Sequence, residues 1–73
     1  MEDAEKKFIV NFGQTVRKLR LEQQLAQESL AIKAGVPVNQ IGRIERAEIS
    51  TSLSTIYKIA TALSKKPANL FDF

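Results

Sequence analysis

At 73 residues, with eleven Lys and Arg against eight Asp and Glu, the chain has room for one domain and one small core, near the size at which a second copy often supplies part of the stability. It contains neither cysteine nor histidine, which excludes disulfides, thiol chemistry, zinc fingers and imidazole catalysis. The basic excess is uneven, because residues 6–46 carry eight basic side chains against three acidic ones; this suits a polyanionic partner, although a solvated surface has the same composition. The opening MEDAEKKFIV is acidic and lacks a long apolar run, so neither a signal peptide nor a membrane span is expected there, and the sequence reads as cytoplasmic.

Residues 1–5 read as frayed or as the start of a helix. Over 6–24, Phe8, Ile9, Phe12, Val16 and Leu19 recur at spacings of three and four, which predicts an amphipathic first helix. A second helix is expected over 27–34 and a third over 38–46, with Pro37 near the start of the latter, where a missing N–H costs least. The polar stretch 47–51 reads as a loop, and Ser52 can cap a fourth helix through the N–H near Thr55. That helix is expected over 53–64, burying Leu53, Ile56, Ile59, Ala60 and Leu63. Pro67 opens a last short helix, PANLF. No stretch alternates with a period of two over a strand length, so the prediction is an all-α, compact five-helix single domain.

The most informative segment is QESLAIKAGVPVNQIGRIE, residues 27–45. Leu30 and Ala31 face inward on the second helix, and Ala31 has no bulk to hold the next helix away. Gly35 falls where the chain must reverse and where a left-handed backbone carries no Cβ strain. Val36 plugs the turn, and Ile41 and Ile44 form the buried stripe of a third helix whose other face presents Val38, Asn39, Gln40 and Arg43. The pattern is a helix-turn-helix.

The order of these elements resembles the phage repressor and Cro family of DNA-binding domains over roughly residues 11–71. The residues that carry the resemblance are Arg20 late in the first helix, Gln27 opening the second, Leu30 and Ala31 within it, Ala34, Gly35 and Val36 at the turn, and Ile41, Ile44 and Glu45 in the third. The size and single domain look most like the controller proteins of restriction-modification systems or small phage and chromosomal repressors. Four positions depart from the pattern: Ala26 lacks the hydroxyl that often caps the second helix, Pro37 stands where Ser often opens the third, Gly42 interrupts the third, and Ala47 replaces the Gly that commonly ends it.

The resemblance implies a homodimeric, sequence-specific regulator of transcription on double-stranded DNA, with no catalytic residue, metal, cofactor or small-molecule substrate. Asn39 and Gln40 carry amides suited to adenine, Arg43 a fork suited to guanine O6 and N7, and Val38 a surface suited to a thymine methyl. Gln27, Arg46, Ser50, Thr51 and Ser52 are expected on phosphates, the last three with helix capping as the competing role. Arg20, four residues after Val16, and Glu45, four after Ile41, are expected as an inward-drawn ion pair. The last four residues hold Leu70, Phe71 and Phe73, more apolar surface than a free end carries, so a dimer contact is expected at Ile49, Pro67, Asn69, Leu70 and Phe73, setting half-sites ~34 Å apart. The rival reading is an antitoxin or adaptor that uses the same fold to bind a protein. Scattered carboxylates without a nucleophile or a phosphate-cradling loop give no enzyme.

Overall fold

The computed structural model describes residues 3–73, which form four α-helices, α1 (Asp3–Glu22), α2 (Gln27–Ala34), α3 (Val38–Glu45) and α4 (Leu53–Ala62), and a final 3-10 turn, Pro67–Phe71. There is no strand among the described residues. The fifth expected helix is this 3-10 turn, which Pro67 opens.

Among the described residues the first helix runs from Asp3, with Asp3 and Glu5 toward the positive end of the helix dipole and Arg20 in its last turn; the expectation for residues 1 and 2 lies outside the described residues. Its inner face is Phe12, Gly13, Val16 and Arg20, at helical spacing. Ile9 and Leu19 are half-buried. Phe8 is largely exposed, although its ring stacks on Phe71 at 5.7 Å and meets the edge of Phe73 at the same distance. The core joins Phe12 and Val16 to Leu30, Ala31 and Ala34 of α2, Ile41 and Ile44 of α3, Ile59, Ala60 and Leu63 around α4, and Leu70 of the final turn.

Two expected core and surface assignments reverse. Leu53 is 84 % exposed: the buried stripe of α4 is Thr55 and Ile59, continued by Leu63, and Leu53 at the first position lies off that stripe on the same side as exposed Tyr57, four residues on. Leu70 is completely buried in the core, so it is unavailable for contact with a second copy.

All four helices end by the same device. A residue in the left-handed conformation follows each helix, at Gln24 (φ 57°), Gly35 (φ 72°), Ala47 (φ 60°) and Ser64 (φ 57°). The next N–H then reaches back five residues, from Leu25 to the carbonyl of Arg20, Val36 to Ala31, Glu48 to Arg43 and Lys65 to Ala60. Only the second uses glycine. A side chain in this conformation costs about 1–2 kcal/mol. Ala47→Gly removes that strain at the cost of a more flexible unfolded chain, so it should stabilise the domain by about 1 kcal/mol, read as a raised urea midpoint at unchanged slope.

Candidate nucleic-acid interface

The second and third helices are joined by a tight turn that Gly35 closes, its N–H donating to the carbonyls of Ala31 and Ile32. Pro37 precedes α3 in an extended conformation, and neither Ala26 nor Pro37 provides a side-chain cap. On α3, Ile41, Gly42, Ile44 and Glu45 are buried, whereas Val38, Asn39 and Arg43 are exposed and Gln40 is half-exposed. The expected reading face is thus on the outside of the domain, with Val38 presenting 43 % of its surface to solvent.

What fixes that face is a charged cluster behind it. Arg20 donates through Nε to Glu45 Oε2 at 2.7 Å and through Nη2 to Glu45 Oε1 at 2.9 Å, a bidentate pair in which both residues are buried. The third guanidinium nitrogen, Nη1, donates to the Leu25 carbonyl at 2.8 Å. Gln27 Nε2 adds a third donor to the carboxylate at 3.1 Å. The hydrogen bond to Glu45 raises the Arg20 pKa above its ordinary value. The cluster ties the end of α1, the linker to α2, the first turn of α2 and the last turn of α3 into one hydrogen-bonded unit.

A second cluster lies outside. Arg46 donates through Nε to Glu48 Oε2 at 2.9 Å and through Nη2 to Oε1 at 3.2 Å, and Arg43 Nε stands 3.9 Å from the same carboxylate. The pairing raises the Arg46 pKa and holds the Glu48 carboxyl below the usual carboxylate range, through the hydrogen bond first and the charges second. Gly42 makes this arrangement possible, because a Cβ there would lie 2.9 Å from Arg46 Nη1.

The residues expected on phosphates divide. Ser50 is exposed. Arg46 is exposed but already paired with Glu48, and Gln27 turns its amide inward to Glu45. Ser52 caps α4, accepting the Thr55 N–H at 3.2 Å, so its hydroxyl has the competing role. The Thr51 hydroxyl is buried without a hydrogen-bond partner among the described residues, which removes it from the phosphate surface. At the expected dimer contact, Ile49 is half-buried against the core, Pro67 is exposed, and Phe73 is exposed on one side while packed against Phe8. Asn69 is occupied within its own turn, its Oδ1 accepting the Lys66 N–H at 3.0 Å. The sequence did not single out Glu48 or Gly13; the signal for Glu48 was its position just past the end of a helix that carries Arg43 and is followed by Arg46.

Comparison with known proteins decides the family. Residues 16–70 match the family described as Helix-turn-helix. The chain belongs to this helix-turn-helix family. Its relatives include the control protein C.BamHI of Bacillus amyloliquefaciens, 41 % identical over 63 residues that span 85 % of this chain and 78 % of that protein. The crystal structure of the restriction-modification controller protein C.AhdI from Aeromonas hydrophila superposes with a TM-score of 0.85 at 43 % identity, over 86 % of this chain and 96 % of the other. A transcriptional regulator from Vibrio cholerae superposes with a TM-score of 0.86 at 29 % identity, over 90 % of this chain and 37 % of that longer one. The helix-turn-helix chain thus falls among DNA-binding transcription regulators and not among enzymes. No helix of the described residues is long and apolar enough to cross a membrane.

Proposed function

We propose that the protein is a cytoplasmic, sequence-specific regulator of the controller type, binding a two-fold operator as a homodimer with α3 in the major groove. The observation that carries this reading is the exposed face of Val38, Asn39 and Arg43 on a helix locked from behind by the Arg20–Glu45 cluster. A reading helix presents base-contacting groups near its N-terminal half, where Val38 and Asn39 stand, and the cluster behind α3 supports a fixed orientation for it. Gln40 contributes to the face in part. Phosphate contacts fall to Arg46, Ser50 and the uncapped N-terminus of α2, with Gln27 available once its amide leaves Glu45.

The dimer contact is best supplied by Leu53 and Tyr57, exposed on one side of α4, with the half-buried Ile49 and the exposed Pro67 and Phe73 as further apolar surface. These residues lie on elements other than α2 and α3, so a partner bound there leaves the reading face free. The similarity to C.BamHI and C.AhdI favours control of a restriction-modification system over an antitoxin or adaptor role.

Selection from random duplex DNA tests the reading. It should recover two-fold sites with half-sites about one turn, ~34 Å, apart. Arg43→Ala should then cost about 1–3 kcal/mol on the recovered site, much less on unrelated DNA, and relax preference at one base pair per half-site. An equal loss on both DNAs makes Arg43 a backbone clamp. Failure to enrich any sequence overturns the reading in favour of a protein partner.

A further inference from the structure

The Arg46–Glu48 pair has an orientation that bears on DNA binding. An arginine grips a phosphate best through two parallel N–H donors on one edge of the guanidinium. In this protein the Nε–Nη2 edge of Arg46 is taken by the two oxygens of Glu48, and Nη1 lies 2.9 Å from where a Cβ on Gly42 would stand. The side-on edge of Arg46, its Nε–Nη2 pair, is therefore unavailable to a phosphate while Glu48 holds it. The carboxylate is placed by the backbone: the left-handed turn at Ala47 and the 2.8 Å bond from the Glu48 N–H to the Arg43 carbonyl carry the chain back over the end of α3, toward Arg43 and Arg46.

We propose that Glu48 is an internal competitor of the DNA phosphate, a carboxylate that occupies the phosphate-gripping edge of Arg46 and limits binding to the DNA backbone. The inference rests on the DNA-binding reading above. Contacts to phosphate carry all of the affinity for DNA of arbitrary sequence, so an anion that withholds one cation acts there directly. The strength of the brake is modest, because an exposed ion pair is weak in water, and this suits a residue that must yield when DNA arrives.

The test compares four proteins, wild type, Glu48→Gln, Glu22→Gln and Arg46→Ala, together with the double variant Arg46→Ala/Glu48→Gln, on a fluorescein-labelled duplex of ~20 base pairs and mixed sequence, long enough for a site of this size. Glu22→Gln makes the same change in net charge at the far end of α1. Glu48→Gln should bind about 3- to 5-fold tighter than wild type at low salt, with the salt slope steeper by about one unit. Glu22→Gln should gain clearly less. In the Arg46→Ala background the gain from Glu48→Gln should largely vanish. The proposal is overturned if Glu48→Gln matches wild type or Glu22→Gln, if its gain survives the loss of Arg46, or if it binds more weakly, which would make Glu48 itself a DNA-contacting residue. Should wild type fail to bind at any salt, the DNA-binding reading fails as well, and the wild-type measurement alone reveals it.

Discussion

Arg20→Met should destabilise the domain by about 3–5 kcal/mol, a large part of what a chain of this length possesses. Glu45 is buried and receives two of its three side-chain hydrogen bonds from Arg20, so the substitution strands a carboxylate that retains only the Gln27 amide. The loss exceeds that of the ion pair itself, because a buried charge without its partner carries its whole desolvation cost. The Leu25 carbonyl loses a donor at the same time. If the penalty comes from the stranded charge, Arg20→Met/Glu45→Leu should recover much of the stability, since apolar residues of similar volume often replace a buried pair at little cost. Urea melts of the two variants read this directly. A single variant as stable as the parent would show that the pair contributes nothing. The recovered double variant should still bind its operator poorly, because the directional hydrogen bonds that join the end of α1 to the end of α3 would be gone, and apolar packing has no comparable directionality.

How much of this was legible in the sequence depends on which physical signal each feature leaves. The helix-turn-helix was legible because Ala31, Gly35, Ile41 and Ile44 each answer a local demand, for closeness, reversal and burial. Arg20 and Glu45 could be placed inward because each lies four residues from an apolar core position. The helix ends were less legible. Expected ends at residues 24, 46 and 64 overran observed ends at Glu22, Glu45 and Ala62, since Gln24, Ala47 and Ser64 take left-handed turns for which glycine is the usual marker. Leu53 and Leu70 were misassigned for a different reason. Hydrophobicity says that a residue prefers to leave water, but not whether the domain's own core or another surface takes it. Which carboxylate meets which arginine outside the core was illegible too, because the Arg46–Glu48 pair depends on the turn at Ala47 and on the space above Gly42.

Glycine residues illustrate the same limit, and they yield the other large expected effect. Gly13→Ala should cost about 3 kcal/mol or more, at the upper end of what overpacking a core costs. A Cβ at Gly13 would lie 2.4 Å from the Ile44 carbonyl oxygen and 3.0 Å from that of Glu45, both backbone atoms of α3 that no side-chain rotation can clear. The two helices would have to separate, and the separation would stretch the Arg20–Glu45 hydrogen bonds that span the same junction. Gly42→Ala is the internal comparison. There the nearest atom to the new Cβ is the end of the flexible Arg46 side chain, so the contact is relieved by a rotation and the higher helix propensity of Ala should leave the domain as stable or somewhat more stable. Sequence alone ranks the two together, as glycines inside helices that alanine should improve. Thermal melts should separate them, with a lowered midpoint for Gly13→Ala and an unchanged or raised one for Gly42→Ala, and a Gly13→Ala protein with the parent's midpoint would show that α1 and α3 do not approach at the distance on which the placement of the reading helix depends.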